Sequence, residues 1–229
     1  MSGAATWDAA DEHRHPPGAA PSWQEGWTFD FWSPGGEVGG STALVLWPAA
    51  GRAWYWAALV RAGEPLLYLA DLDVDAPRRG LEIRAEGLWA AHTCEAPFEQ
   101  WTVANEAFAV ALDDPAEALG RAHGTQAAVA FDLEWYAAQP AEALVTTAGY
   151  RQEGDVHAVI ELAGGPLVLE TSARRMHWWG DAFPWPVGDG TAVPSGPRAP
   201  VRLGPAGSTT LVLDRVLTPN GWWDAIRHQ

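Results

Sequence analysis

The chain has 229 residues, with 29 acidic side chains against 14 basic ones and a formal charge of -15. Every basic residue is arginine, which excludes Schiff-base lysines, a P-loop lysine and lysine general bases. A charge this negative argues against nucleic acid and anionic membranes as partners, since both are bound through basic patches. The first element, residues 1–22, is rich in Ala, Pro, Gly and His without an apolar period and is expected to be a flexible arm. From Trp27 the period is two. Strands are predicted at Trp27–Trp32, Thr42–Trp47, Ala53–Val60, Leu66–Leu72, Leu81–Ala85, Leu88–Glu95, Phe98–Val103 and Ala107–Leu112, with Asn105 as a left-handed turn residue. Asp114 with Pro115 behind it reads as the cap of a short helix. Strands resume at Gln126–Tyr136, and Asp155–Leu162 with Pro166–Thr171 form a hairpin across Ala163, Gly164 and Gly165. After Trp179 the chain is rich in Pro and Gly, and a last strand is predicted at Thr209–Leu213.

A dozen short strands with almost no helix predict an all-β protein, a barrel or a sandwich. Three segments are expected: the arm at 1–22, a first β-barrel at 23–140 and a second, shortened β unit at 141–229. No apolar run approaches the ~18 to 20 residues of a membrane helix. The single Cys94 excludes an internal disulfide framework and is expected to be a buried small hydrophobe. The expected setting is cytoplasmic and reducing. Tryptophan is over-used, at 15 residues, and this side chain suits cores, pocket walls and stacking platforms alike.

Two stretches carry a family resemblance. The first is Gly80-Leu-Glu-Ile-Arg84-Ala-Glu-Gly-Leu-Trp89, followed by Cys94-Glu-Ala-Pro-Phe98-Glu-Gln-Trp101-Thr-Val-Ala-Asn105-Glu-Ala-Phe108. The second is Gly149-Tyr150-Arg-Gln152-Glu-Gly154, a hairpin, and Ala173-Arg174-Arg175-Met-His177-Trp178-Trp179-Gly180-Asp181. In order and spacing these resemble the lipocalin-like superfamily that includes hydroxyneurosporene synthase, a carotenoid hydratase, and the AttH-type proteins. The resemblance implies lipocalin-like barrels in tandem, each able to hold an apolar ligand. The stretch after Gly149 is short for a full second barrel, so a shortened barrel or sheet joined to the first is expected. In the hydratase branch the matching His and Trp lie where an isolated alkene is protonated, which casts His177 as an acid/base group with Trp179 beside it. No tyrosine follows Trp179, where family hydratases use one, and Asp181, Asp189 and Asp214 remain as carboxylate candidates.

Strand alternation puts His177 and Trp179 on one face with Asp181 two residues on. A carboxylate beside a buried imidazole holds its pKa near neutrality. The bland alternative is a hydrogen-bonded core histidine. Glu99 and Trp101 share a face in the same way, where Glu99 either meets a ligand's polar end or points to solvent. Trp54, Trp56, Trp89, Trp101 and Trp179 are the candidate pocket walls. His13 and His15 form a weak chelating pair without a matching second cluster, so no metal site and no cofactor is expected. The function that follows is the binding of an apolar small molecule (terpenoid, polyketide or steroid-like) in a Trp-lined barrel, with isomerisation, cyclisation or hydration through His177 and Asp181. A carbohydrate-binding or glycan-processing β-sandwich is the alternative, for which exposed coplanar tryptophans would speak.

Overall fold

The computed structural model describes residues 7–119 and 122–182 and the backbone of three C-terminal strands at 199–203, 211–218 and 221–228. Four strands open it as a meander: β1 (Gln24–Trp32), β2 (Val38–Trp47), β3 (Arg52–Arg61) and β4 (Leu66–Asp75). A hairpin of β5 (Glu82–Ala85) and β6 (Leu88–Ala96) follows, then β7 (Gln100–Leu112), β8 (Thr125–Ala137), the two-residue β9 (Glu142–Ala143), β10 (Ala148–Leu162) and β11 (Leu167–Gly180). The hydrogen-bonded order β4-β3-β2-β1-β11-β10-β8-β7 returns to β4 through Leu66–Leu112, Leu67–Ala111 and Tyr68–Val110. These strands close an up-and-down antiparallel barrel of the size that holds its own side chains or one small ligand. β6 pairs with β7 beyond β4, and β5 pairs with β6, so the hairpin continues the wall where β4 leaves it. No helix among the described residues is long and apolar enough to cross a membrane.

The two faces of the wall follow from the period of two. Trp27, Phe29 and Phe31 of β1, Tyr55, Ala57 and Leu59 of β3, Leu133 and Trp135 of β8, and Val156, Ala158 and Ile160 of β10 are buried inside one core. On β8 and β10 the intervening residues are mostly exposed or half-buried. β1, β2 and β3 are buried on both faces. Their second face carries Trp32, Val45, Trp56 and Val60, which join Tyr68 of β4 and Trp178 of β11 in a separate apolar cluster. Strands β12 (Ala199–Leu203), β13 (Leu211–Thr218) and β14 (Gly221–His228) make a second antiparallel sheet, and β14 lies against β3, β4 and the short 3-10 helix Pro115–Leu119. The chain beyond 140 therefore divides: β9, β10 and β11 belong to the first sheet, and among the described residues β12, β13 and β14 form a second one.

Two local readings change. Asn105 lies within a continuous β7, buried, donating to the Tyr55 hydroxyl at 3.1 Å and accepting from the Phe131 amide at 3.2 Å. A polar side chain with both partners in place needs no turn. Residues 7–22 are packed rather than loose. Asp8 caps a 3-10 helix, Ala9–Glu12, that puts Glu12 at 0% exposure, and Arg14 donates to the carbonyl of Pro77 at 2.8 Å. Asp114 does cap the second 3-10 helix, accepting from the Ala116 amide at 2.9 Å.

Gly149 fixes how β10 meets β11. Its φ is +132°, and a Cβ there would stand 2.2 Å from the His177 carbonyl oxygen and 2.6 Å from the Trp178 Cα. Both obstacles are backbone, so neither can rotate away. Gly149→Ala is expected to cost about 1–3 kcal/mol in urea denaturation. A loss within about 0.5 kcal/mol of zero, the range of a neutral surface change, would contradict that packing.

Candidate functional site

Strand register assembles the site. His177 on β11 stands opposite Trp27 on β1 and Tyr150 on β10, Arg175 stands opposite Phe29 and Gln152, and Trp101 on β7 stands opposite Trp135 on β8. All point into one end of the barrel, because β11 alternates inward at 173, 175 and 177. A slip of one residue in any pairing would turn the whole set outward. The 3-10 helix Ala9–Glu12 and the residues after it cover this end.

Glu12 is the hub of the first half. Arg175 reaches it with both terminal nitrogens, one a short contact to Oε1 and the other 3.1 Å from Oε2. Trp101 Nε1 donates at 2.6 Å and the Tyr150 hydroxyl at 2.9 Å. Arg175 Nε donates to Gln152 Oε1 at 3.0 Å, and Gln152 is held in turn by the carbonyls of Phe98 and Gln139. The guanidinium carbon lies 4.9 to 5.8 Å from the ring centres of Trp135, Tyr150, Trp101 and Phe98, so aromatic faces replace water around the cation. Phe98 adopts φ +61° in the turn before β7, which brings its ring over Arg175 and its carbonyl to Gln152.

The second half is a triad. His177 Nε2 lies 3.0 Å from Glu25 Oε1, and His15 Nδ1 lies 2.7 Å from the same oxygen, while the His15 amide also donates to that carboxylate. Indole rings hold both imidazoles: Trp27 stacks on His177 at 4.5 Å and Trp179 on His15 at 3.8 Å. Burial opposes a charge on His15, but Glu25 and then Asp11 outweigh it and raise the pKa above 6.5. Burial would raise Glu25, yet hydrogen bonds from His15 and His177 bring it below its ordinary value. Burial lowers His177, and Glu25 only partly offsets this. A proton taken up by the triad therefore favours His15 over His177. Since the carboxylate only accepts, neutral His177 carries its hydrogen on Nε2 and leaves Nδ1 as a lone pair.

Tyr150 joins the halves. Its hydroxyl has one proton and three acceptors in reach: Glu12 Oε1 at 2.9 Å, the Asp11 carbonyl at 3.3 Å and His177 Nδ1 at 3.3 Å. Burial raises the phenol above its ordinary range against the pull of Arg175, and Glu12 adds to the rise.

His15, Glu25 and His177 also have ligand atoms within 4.8 Å of one another, a two-histidine, one-carboxylate set able to take a divalent ion. As placed they are hydrogen-bonded, at separations shorter than the ~3.3 Å between ligands around a zinc with ~2.0 Å bonds. The second cluster that His13 and His15 lacked in the sequence is thus supplied to His15 by Glu25 and His177.

The candidates divide. His177, Trp101 and Trp179 lie in the assembly. Asp181 is exposed: β11 ends at Gly180, whose φ is +123°, so alternation stops before it, and Glu25 is the carboxylate at His177. Asp189 and the side chain of Asp214 lie outside the described residues. Glu99 is exposed in the turn it closes with Ala96, before the alternation of β7 begins. Trp54 and Trp56 flank the inward Tyr55 and so take the outer face, Trp54 against Trp47 and Trp56 against Tyr68. Trp89 lies between the inward Leu88 and Ala90 and points out to Glu82, 3.2 Å away. Cys94 is half-buried; burial and then the charge of Glu12 push its thiol up to about 12, so it is no nucleophile at neutral pH.

The other half of the interior is mostly apolar, apart from the hydrogen bonds that join Thr42, Tyr55 and Asn105. Phe31, Ala57, Leu59, Leu67, Phe131 and Ile160 are among the residues around a cavity of about 20 Å³ in the other half of the barrel, room for about one water. A closed up-and-down barrel with a buried polar relay at one end and an apolar interior at the other is the class of protein these features define. By sequence the chain belongs to a family described only as a domain of unknown function (DUF7064), whose model matches residues 8–187. No curated protein matches it.

His92 supplies a test of this interior. It is 4% exposed, packed on the rings of Phe29 and Tyr55, and neither ring nitrogen has a partner among the described residues. Burial pushes it down to about 3 from 6.5. The unfolded chain thus binds the extra proton between those values, so the contribution of His92 is complete above pH 6.5 and is lost as pH falls towards 3. Denaturation curves across this range should show a shallower acid loss for His92→Leu than for the parent. Equal slopes would place the imidazole in contact with water.

Proposed function

We propose that the barrel binds an apolar small molecule and that His177, backed by Glu25 and Tyr150, is the acid/base group presented to it. The observation that carries this reading is an imidazole at 0% exposure between a carboxylate and a phenol on the inner wall of the barrel, at the end opposite its apolar half. An amine or carboxylate alone in such a place would lose its charge, whereas an imidazole so flanked can take a proton on Nδ1 while Glu25 stabilises the imidazolium. Tyr150 is placed to pass a proton to that nitrogen. Trp27 faces the ring, and indole faces also stabilise developing positive charge on a hydrocarbon. Terpenoid, polyketide and steroid-like molecules are the ligand classes, with isomerisation, cyclisation or hydration as the chemistry. No tryptophan among the described residues is exposed, so none of these offers the open stacking platform that the carbohydrate reading calls for.

The cavity of about 20 Å³ means that a ligand must displace part of the protein to enter. Native mass spectrometry of freshly purified protein is expected to find an apolar molecule in the barrel. With that ligand identified, His177→Gln should keep binding within a few-fold and lower turnover by about a hundredfold or more. A variant that retains full turnover would remove His177 from the chemistry, and a protein that neither carries nor takes up any apolar molecule would remove the function.

A further inference from the structure

The donors that converge on Glu12 do not belong to its own segment. Arg175, Tyr150 and Trp101 come from β11, β10 and β7, three strands of the barrel, while Glu12 arrives from a 3-10 helix that precedes β1. The barrel builds a receptor for two carboxylate oxygens, and the chain inserts one of its own carboxylates into it. Apart from Glu12, Arg175 is surrounded by four aromatic rings, the Gln152 amide oxygen and, at 3.5 Å, the Tyr150 hydroxyl. Withdrawal of Glu12 would leave a buried cation unpaired, so it becomes favourable only when another anion takes the place.

We propose that this receptor is a ligand site for carboxylates, and that the molecule the barrel takes is an amphipathic acid whose carboxylate displaces Glu12 from Arg175, Tyr150 and Trp101. The inference rests on the apolar-ligand reading and names the polar end of that ligand. A planar two-oxygen head matches the fork of Arg175, with the Tyr150 hydroxyl on one oxygen and Trp101 and, at 3.8 Å, the Cys94 thiol on the other, as Glu12 itself demonstrates. A tetrahedral phosphate would bring a third oxygen beyond the two that the Arg175 fork, Tyr150 and Trp101 hold. The approach is a cleft of about 670 Å³ between residues 12–14 and the β5–β6 hairpin, with Glu12, Trp101 and His92 among its lining residues. His92 also lines the cleft, with its ring buried against Phe29 and Tyr55. Beyond Arg175 the interior turns apolar at Phe29, Val103 and Leu133, where the body of such an acid would lie. Displacing Glu12 also removes one acceptor from the Tyr150 hydroxyl, which leaves that proton to His177 and the ligand.

The test uses two probes of equal chain length, dodecanoate and dodecan-1-ol, below their aggregation limits, titrated by calorimetry into the parent protein and Glu12→Gln. Dodecanoate is expected to bind the parent about tenfold or more tighter than the alcohol, and Glu12→Gln is expected to tighten dodecanoate by about another tenfold while leaving the alcohol within about twofold. Dodecanoate, and not the alcohol, should also speed tryptic cleavage of the parent after Arg14, because the segment carrying Glu12 is released. Should Glu12→Gln not fold, the two probes and the cleavage rate in the parent decide the matter alone. Equal affinity for both probes, or dodecanoate bound with no change in cleavage, overturns the carboxylate site and leaves the apolar-ligand reading standing. Binding of neither probe overturns both.

Discussion

The ion pair between Glu12 and Arg175 is the contact on which the polar end of the barrel depends. Both side chains are removed from water, at 0% and 1% exposure, and each would be costly there alone. Removing one partner of such a pair typically costs about 3–5 kcal/mol. The pair is tolerable because its remaining valences are filled: Gln152 takes the Nε hydrogen, Tyr150 and Trp101 donate to the carboxylate, and four rings enclose the guanidinium. Once Glu12 is anchored, the few residues behind it are carried to the barrel mouth. His15 then reaches Glu25, and Glu25 holds His177. The triad is thus assembled across two parts of the chain that a single ion pair brings together.

This dependence joins structure to function through two exchanges of hydrogen bonds. The Tyr150 hydroxyl is shared between Glu12 and His177, so the state of Glu12 governs how strongly the phenol serves the imidazole. The Glu25 carboxylate is shared between His15 and His177, so the same segment that carries Glu12 also sets the charge beside His177. Docked, the segment closes the barrel and leaves an apolar cavity with room for about one water. Displaced, it would uncover a cation, a phenol and an imidazole on the wall of an apolar chamber. Under the proposed function, binding and chemistry at this end would be coupled, because one element would both occupy the site and tune its acid/base group.

Much of the fold was legible in the residues, because the period of two runs from Trp27 almost unbroken to β11. The same period also carried more of the site than was taken from it. Glu25 shares parity with Trp27, Phe29 and Phe31; Tyr150 and Gln152 share it with Val156, Ala158 and Ile160; and Arg175 stands two residues before His177. Each could have been placed inside by extending its strand's alternation. Trp54, Trp56 and Trp89 were misplaced because alternation fixes which residues share a face and not which face looks inward. That choice is made by the closure of β4 onto β7 through three residue pairs, a contact between distant segments. Glu12 had no local signal at all. It sits in an Ala- and Pro-rich stretch, and its burial comes from a partner 163 positions away.

Amide hydrogen exchange across residues 11–15 tests the anchoring directly. The amides of Asp11, His13 and His15 donate to the Asp8 carbonyl, the Ala10 carbonyl and the Glu25 carboxylate in the docked segment. If the buried pair holds them there, they exchange about a hundredfold or more slower than in an unstructured peptide, and Glu12→Gln returns them towards the peptide rate. Peptide-like exchange of these amides in the parent protein would contradict the docking of Glu12 on Arg175, and with it the assembly of the His15, Glu25 and His177 triad.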